Sequence, residues 1–428
     1  MLPQIGVSID FANGASFAYP LILDDLAFGH LDEQVLADNP ADIVEVTDQV
    51  MRVSTRRGRN RLLSNFEAGT ATVVINDPNG DFNPQNPSSP YTNKLLPLRK
   101  IRIWADTPYQ GDTVRIFLFS GYITSYDTSF YQGVDSTSTV TLQCIDGFRL
   151  LNNVSTGTAP IPGATAGELS GNRIQHLLDF AGWPASMRAI NPGNSTMMAD
   201  PGGNRSILQA IQTVEQSEFG AFYISRQGDA RFIDRELVTL LADYTARYYS
   251  DQALPGTLSY VNLDFAYDDQ LILNDVTVTR YNDNIGPAPV PQEIINQESI
   301  DTYFRKSGQR SDILVETDQE ANDQARTIVA GRKDAELRID SMTVDITGET
   351  NEENAVINLT SDIYSLVIIS KQMPGNSSIS KELFIQGVQH DITPTAWTMK
   401  LLTAEPIIQA LILDSPSQGA LDINTLSY

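Results

Sequence analysis

The sequence predicts a mainly β protein that carries an α+β insert. Short runs that alternate apolar and polar residues fill the first third of the chain and return after residue 256, and a period of two is typical of half-buried strands. Between them, at about residues 164–250, the apolar residues follow helical spacing instead. A chain of 428 residues is also too long for one ordinary core, so we expect about three domains.

The first predicted domain covers residues 1–155. Gly, Pro, Asn and Asp separate its strand-like runs, and this pattern favours a closed sandwich or barrel. The runs are residues 5–11, 43–47, 50–54, 100–104, 114–119 and 140–145. Cys144, the one cysteine of the chain, lies in the last run, so we expect a small buried side chain and no disulfide.

A small helix–helix–hairpin domain is predicted over residues 156–255. The first helix stops at Gly182, and its apolar face consists of Ile174, Leu177, Leu178 and Ala181. The second helix starts at Ser206, which has the spacing of a capping box with Gln209. Residues 221–233 then have the pattern of a β-hairpin.

A second β domain is predicted over residues 256–405, and residues 406–428 form a C-terminal tail. An excursion at about residues 286–335 interrupts this domain and carries one helix. That helix starts at Thr317, for which Glu320 is the capping-box partner. Strand-like runs resume after the helix.

The formal net charge of −24 excludes a protein that grips nucleic acid by its phosphates, because such a protein would carry the opposite sign. The charge is also uneven, since no Lys or Arg precedes Arg52. Acidic residues crowd this stretch; they are Asp24, Asp25, Asp32, Glu33, Asp38, Asp42, Glu45 and Asp48. Two interpretations stay open: a solvated acidic surface, or a surface that matches a basic partner or lines a channel and repels a polyanion.

The sequence contains no recognisable catalytic or metal-binding constellation, so we predict a non-enzymatic protein without a cofactor. The histidines lie far apart and have no ligand-spaced companion; they are His30, His176 and His390. The turn at residues 77–83 offers oxygen atoms at alternate positions, as a calcium loop does. Phe82 and Ser88 nevertheless replace the Gly and Glu that an EF-hand requires. We therefore favour a turn closed by hydrogen bonds from Asx side chains.

A basic cluster closes the strand-like run that ends near Thr55. Its members are Arg52, Arg56, Arg57, Arg59 and Arg61. In an acidic chain these arginines either meet acidic surfaces of a neighbouring subunit or lie solvated at the end of the strand. Because the planar guanidinium pairs bidentately with carboxylates, we predict that they lie at a subunit interface.

The sequence has no secretory signal and no apolar run of membrane-spanning length. A lone cysteine suits a reducing compartment. We therefore expect assembly in the cytoplasm of the producing cell.

Several motifs resemble, in the same order, those of minor tail proteins of long-tailed bacteriophages, which form the tail tip or baseplate hub. In the first domain they are Arg57-Gly58-Arg59, the strand at 66–71, the turn that ends at Pro84, and the strands at 121–127 and 144–146. Later matches are Ala181-Gly182-Trp183-Pro184 and the closing hairpin with Gly387, His390 and Trp397. The chain departs from the family where residues 304–307 separate Tyr303 from Gly308.

This resemblance implies two tube-like β-barrel or sandwich domains in each chain, and a homotrimer that forms a pseudo-six-fold ring. Such a hub joins the hexameric tail tube to the tip and surrounds the genome-delivery channel at the tail tip of the virion. The implied partners are distal tail and tail-tube proteins, tip or fibre proteins, the tape measure protein, and DNA that passes without tight binding.

Two alternatives stay open. Tail hubs can carry lytic domains, so the chain is alternatively a tail-associated cell-wall hydrolase that uses carboxylates. It is otherwise a hexameric distal tail protein, although two β domains in each chain suit that function less well.

The hub hypothesis carries two structural expectations. The β segments before and after the insert should adopt similar folds in separate sheets. The channel wall should be acidic or neutral, because a basic wall would bind DNA phosphates and slow their transit. The arginine cluster would then face a neighbouring subunit or the outer surface.

Overall fold

The structure is a computed structural model that describes residues 3–11, 42–60, 65–130, 138–235, 246–252, 254–283, 286–375 and 377–405. Of the described residues, 44% lie in strands and 19% in helices, which confirms the mainly β class. Some predicted features lie outside the described residues, namely His30, Arg61, the acidic residues before Asp42, and the tail 406–428. In the described part, no helix is long and apolar enough to cross a membrane.

The first β segment, which precedes the insert, consists of strands and ends in a short helix. These elements are β1 (Gln4–Asp10), β2 (Ile43–Glu45), β3 (Val50–Gly58), β4 (Glu67–Asn76), β5 (Arg99–Tyr109), β6 (Asp112–Phe130), β7 (Ser138–Ile145) and α1 (Phe148–Asn153). The insert contains β8 (Glu168–Leu169), α2 (Ser170–Phe180), β9 (Arg188–Ile190), β10 (Thr196–Met197), α3 (Ile207–Glu218), β11 (Ala221–Ile224) and β12 (Ala230–Ile233).

The second β segment follows, with an excursion inside it. It begins with β13 (Arg247–Ser250) and β14 (Asn262–Ala266). The excursion contains β15 (Asp275–Arg280), β16 (Gln292–Ile295), α4 (Gln297–Tyr303), β17 (Ser307–Ile313) and α5 (Asp318–Arg332). The segment ends with β18 (Arg338–Asp345), α6 (Glu352–Thr360), β19 (Leu366–Gln372), β20 (Ser378–Thr393) and β21 (Ala396–Ala404).

One sheet of 13 strands joins the two β segments, in the order β14-β18-β21-β20-β3-β4-β7-β6-β5-β1-β2, with β19 beside β20 and β13 beside β19. The two segments meet where β3 pairs antiparallel with β20, and we call this pairing the seam. One apolar core includes Val53 and Val73 from the first segment and Val388 and Met399 from the second. The expectation of separate sheets is therefore wrong, because β20 extends past β19 and its free edge accepts β3.

Each β segment nevertheless has the same strand topology. In the first, β3, β4, β7, β6, β5 and β1 are successive neighbours. In the second, β14, β18, β21, β20, β19 and β13 are successive neighbours, and the two sets follow the same order along the chain. The one difference in direction is that β13 runs parallel to β19, whereas β1 runs antiparallel to β5. The two β segments therefore share a strand topology, although the single sheet contradicts the expectation that they are separate domains.

Local details repeat as well. The long strand of each segment has a bulge at an equivalent point, at Thr124 in β6 and at Gln386 in β20. Just before β5, Leu98 has a φ of 65° and donates its N–H to the carbonyl of Ile123 at 2.7 Å. Just before β19, Tyr364 has a φ of 66° and donates its N–H to the carbonyl of Ile385 at 2.7 Å. A left-handed non-glycine residue is uncommon, so its recurrence supports a structural repeat.

The insert has the helix–helix–hairpin order that the sequence predicts. The capping box of Ser206 and Gln209 starts α3, with both reciprocal hydrogen bonds present. Strands β11 and β12 form the hairpin, and β9 adds to it in parallel. The apolar core of the insert includes Ile174, Leu177, Ile211 and Phe222.

The excursion carries two helices rather than the one expected. The capping box of Thr317 and Glu320 begins α5 as predicted. The additional helix, α4, begins because the side chain of Asn296 accepts the N–H of Ser299. A single cap and a seven-residue length give little periodic signal in the sequence.

We predict that Gly58→Ala destabilises the protein more than Gly111→Ala. Both glycines have a positive φ, +102° and +93°, so both variants lose about 1 kcal/mol to backbone strain. At Gly58 a Cβ would also lie 2.2 Å from the carbonyl oxygen of Gln386 across the seam, whereas Gly111 has no atom within 4 Å. Overpacking adds about 1–3 kcal/mol at Gly58. Urea unfolding measures the loss of stability in each variant. Equal losses would show that the seam accommodates the added methyl group.

Candidate assembly and channel-facing site

One row of polar side chains crosses the sheet from the first β segment to the second. Its members occupy directly opposed positions on β6, β7, β4, β3, β20, β21 and β18; they are Ser125, Gln143, Thr72, Ser54, Asp391, Thr398 and Asp345. All are partly or fully exposed. The adjacent positions on this face are also largely polar, among them Thr70, Thr141, Gln389 and Thr343. We call this surface the polar face.

The opposite face of the same strands is apolar and buried. It carries residues that alternate with those of the polar face, including Val73, Leu142, Val388 and Met399. An antiparallel sheet that packs on a core with one face commonly leaves the other in solvent. Because the alternation keeps its phase across the seam, the polar face is continuous between the two segments.

The cations on the polar face are neutralised by carboxylates. Arg52 makes a bidentate contact with Asp391, at 3.0 and 2.8 Å, and this ion pair crosses the seam. Two further pairs join Arg56 to Glu67 at 2.8 Å and Lys400 to Asp264 at 3.0 Å. Exposed Asp127 and Asp345 add negative charge to the same face. The surface is therefore neutral to acidic.

Arg57 lies on the buried side of β3. Its guanidinium donates to Asp362 at 2.6 Å and to the carbonyl of Leu118 at 3.0 Å. Burial alone would raise the pKa of Asp362, but the charges of Arg57 and Arg226 outweigh burial and hold this pKa below its ordinary value. An ion pair between Arg57 of the first β segment and Asp362 of the second thus lies on the buried side of the seam.

Arg59 is also buried and contacts groups of both β segments. It donates to Gln386 at 2.9 Å and to the hydroxyl of Tyr364 at 2.7 Å. Its guanidinium also lies 4.5 Å from the ring centre of Phe66, within cation–π range. Arg57 and Arg59 are thus held by groups of their own chain, whereas Arg52 and Arg56 are exposed and Arg61 lies outside the described residues. The placement of this cluster at a subunit interface stays a prediction.

Two buried acids near the seam have structural contacts. Burial raises the pKa of Asp146 and of Glu215 to about 7. Asp146 accepts the N–H groups of Gly69 and Phe148, and Glu215 accepts that of Phe222. Each is 3% exposed, so a polymeric substrate has no access to them.

A cavity of about 530 Å³ lies between the main sheet and the excursion, and Glu336 and Glu405 are among its lining residues. Burial and the hydrogen bond to Glu405 raise the pKa of Glu336. A glycoside hydrolase keeps its two carboxyl groups roughly 5–9.5 Å apart to admit a nucleophile or a water molecule. Two carboxyl groups that share a hydrogen bond are too close for that reaction, and Glu405 also pairs with Lys381 at 2.6 Å.

The other sequence candidates have structural roles in the described residues. The carboxylate of Asp77 accepts the N–H groups of Asp81 and Phe82, which confirms the Asx-closed turn. Cys144 is buried, as expected. His176 contacts Glu168 at 3.0 Å. Within the described ranges, no group of three or more His, Cys, Asp or Glu residues is arranged to hold a metal ion.

Comparison with known proteins gives matches only at the level of structure. No protein-family model matches the sequence, and no curated protein matches it. The tail protein from Neisseria meningitidis MC58 is similar with a TM-score of 0.53 and 13% identity, over 85% of this chain and 94% of that one. The 43 kDa tail protein of prophage MuSo2 from Shewanella oneidensis also has a TM-score of 0.53, with 11% identity, over 85% of this chain and 96% of that one.

The chain has the fold of phage tail proteins. This result confirms the resemblance that the motifs indicate. The high coverage of both chains means that the likeness includes the β segments and the insert together.

We predict that Arg57→Leu destabilises the protein strongly, whereas Arg52→Leu has a small effect. Loss of Arg57 leaves Asp362 beneath the seam without its closest cation, which costs about 3 kcal/mol. The matched control, Arg52→Leu, breaks the exposed ion pair between Arg52 and Asp391 across the same seam. Solvent screening makes such a pair weak. Urea denaturation of both variants makes the comparison, and equal effects would contradict the structural role of Arg57.

We predict that His390 makes the protein less stable as the pH falls. Burial lowers the pKa of His390 to about 3, whereas the unfolded side chain titrates near about 6.5. Between these values the unfolded chain binds the extra proton, so the free energy of unfolding decreases with falling pH. Asp146 and Glu215 act in the opposite direction below pH 7, because their folded pKa values are raised.

The comparison with His390→Gln isolates the histidine from these two acids. From pH 7 to pH 4, the variant should lose less stability than the unaltered protein, as measured by urea midpoints. Parallel pH profiles would show that His390 does not titrate differently in the two states.

Proposed function

We propose that the chain is a structural subunit of a phage tail, at the tip or baseplate hub, and that it assembles into a ring around the genome-delivery channel. The observation that carries this proposal is the polar face. It is a broad sheet surface of partly or fully exposed side chains, with few apolar groups and balanced charge among the described residues, in a chain whose fold is that of tail proteins. We assign the polar face to the wall of the channel.

The repeated strand topology supports a trimer. Each chain contributes two similar β segments joined edge to edge, so three chains supply six similar units. Six units match the symmetry of a hexameric tail tube, to which the ring is proposed to bind through distal tail or tube proteins. The tape measure protein and the tip or fibre proteins are the other proposed partners, and the virion tail tip is the proposed location.

The charge of the polar face suits passage of DNA without adhesion. A wall with unpaired Lys or Arg would gain affinity at every phosphate through counterion release. On the polar face Arg52, Arg56 and Lys400 each pair with a carboxylate. We therefore revise the expectation that the arginine cluster stays out of the wall: in our assignment Arg52 and Arg56 belong to it in neutralised form.

The alternatives predict different masses and activities. A hexameric distal tail protein uses six copies of the 47.1 kDa chain, and the proposed hub uses three. A cell-wall hydrolase needs separated carboxylates in an open cleft, which the hydrogen-bonded pair of Glu336 and Glu405 does not provide.

We predict that native mass spectrometry of the purified chain at micromolar concentration detects a trimer. A heterologous contact that closes on itself gives one discrete species, whereas an open one gives a ladder of lengths. A hexamer would favour the distal tail protein, and a monomer at every concentration would contradict the ring.

We predict that lysines on the polar face create DNA binding in the assembled protein. The test variant carries Ser54→Lys, Thr72→Lys and Thr398→Lys, and the control carries Asn172→Lys, Ser186→Lys and Thr158→Lys on exposed positions of the insert. Electrophoretic mobility assays with short duplex DNA should detect salt-sensitive binding by the test variant only. Equal binding by the control, or tight binding by the unaltered protein at physiological salt, would contradict the assignment of the wall.

A further inference from the structure

Four arginines from different parts of the fold meet around Asp362, where the insert contacts both β segments. We call them the junction arginines; they are Arg57 of β3, Arg226 at the tip of the hairpin β11–β12, Arg231 of β12 and Arg247 of β13. The hairpin tip is held in this place from the first β segment, because the hydroxyl of Ser120 donates to the carbonyl of Arg226 at 2.9 Å.

Hydrogen bonds bring two of the junction arginines to the end of one helix. Arg226 donates to the carbonyl of Leu359 at 3.1 Å, and Arg247 donates to the carbonyl of Thr360 at 3.3 Å. These carbonyls belong to the last two residues of α6. The C-terminus of a helix carries a partial negative charge and attracts cations. It therefore positions the two guanidinium groups side by side without neutralising both.

The carboxylate that pairs with the junction arginines is Asp362. Arg57 lies 2.6 Å from it, and Arg226 lies 3.8 Å from it. Burial lowers the pKa of Arg226; Asp362 opposes this effect, and the charges of the other three junction arginines add to it. In the described part of the chain, four cations thus share one ion-paired carboxylate, although the whole chain has a net charge of −24.

Three buried nitrogen atoms of the junction arginines have no hydrogen-bond partner within the described ranges. They are Nη1 of Arg57, Nε of Arg231 and Nε of Arg247. The side chain of Arg57 is only 5% exposed. Buried donors are nearly always paired, and an orphaned one indicates a bound water molecule or ion. Because hydrogen bonds from a guanidinium to an oxyanion are stronger than those to a neutral acceptor, an anion suits these donors better than water does.

We propose that the junction arginines bind one small oxyanion, inorganic phosphate or sulfate, which joins the insert to both β segments. The orphaned donors come from β3, β12 and β13, and a phosphate-like ion presents acceptor oxygens in several directions. The site lies within a single chain, so this inference does not depend on the proposed ring.

The phosphates of DNA do not suit this site. Arg57 alternates with Arg56 along β3 and lies on the side of the sheet opposite the polar face. A double helix cannot reach a side chain that is buried under the sheet, whereas a free ion can. The proposed site is therefore separate from the proposed wall of the channel.

Equilibrium dialysis of the purified chain against radiolabelled inorganic phosphate tests the proposal. Phosphate should bind at a ratio of one to one, and sulfate should compete with it, whereas chloride at the same ionic strength and short duplex DNA should not. The double variant Arg231→Gln with Arg247→Gln should bind phosphate about tenfold more weakly or worse, because hydrogen bonds to charged groups are lost. The matched control is Arg149→Gln with Arg326→Gln, at exposed positions, and it should bind as the unaltered protein does.

Urea unfolding of the single variant Arg231→Gln separates an anion site from a purely structural role. In chloride the variant loses one of several like charges, so its urea midpoint should equal or exceed that of the unaltered protein. In phosphate at the same ionic strength the unaltered protein should gain more stability than the variant, because a ligand of the folded state stabilises it. The general effect of phosphate on exposed surface is common to both proteins and cancels in this comparison.

Several results would overturn the proposal. One is the absence of saturable phosphate binding, and another is binding that the double variant retains. Displacement of phosphate by duplex DNA would assign the arginines to nucleic acid instead. An equal loss of stability by Arg231→Gln in chloride and in phosphate would assign that arginine a structural role. If the double variant does not fold, dialysis of Arg231→Gln alone gives the same decision.

Discussion

The pairing of β3 with β20 is the constraint on which the rest of the structure depends. It converts two β segments into one sheet with one core, and it aligns their polar positions in a single row. Gly58 and Gly387 allow the two backbones to approach, and no larger side chain fits at Gly58. On the buried side of the seam, Arg57 contacts Asp362, and Arg59 contacts Tyr364 and Phe66.

The two faces of the sheet have separate tasks. The buried face holds the segments together through apolar contacts and a few desolvated ion pairs. The polar face contributes little to stability, because its ion pairs are exposed and screened. Its composition is consequently free to suit the proposed passage of DNA. This division explains why the four described arginines of the cluster are two ion-paired surface residues, Arg52 and Arg56, and two buried residues, Arg57 and Arg59.

Local signals in the sequence predict local structure well. The capping boxes of Ser206 and Thr317 start helices as expected, because all the contacting atoms lie within four residues. The burial of Arg57 was not predictable in this way. Its partner Asp362 lies 305 residues away, and only the seam brings the two together.

The same limit applies to the polar face. Alternation in β4 and β7 places Thr72 and Gln143 on the solvent side from sequence alone, but the register between strands determines whether such positions form one row. For this reason the sequence did not predict the single sheet, although the similarity of the two segments was expected. In the structure, the bulges at Thr124 and Gln386 provide the register that relates the segments.

A cryo-EM map of the assembled protein tests the central claim most directly. Our account predicts a three-fold ring with Ser54, Thr72 and Thr398 facing an open bore. A ring whose bore is lined by the insert would contradict it.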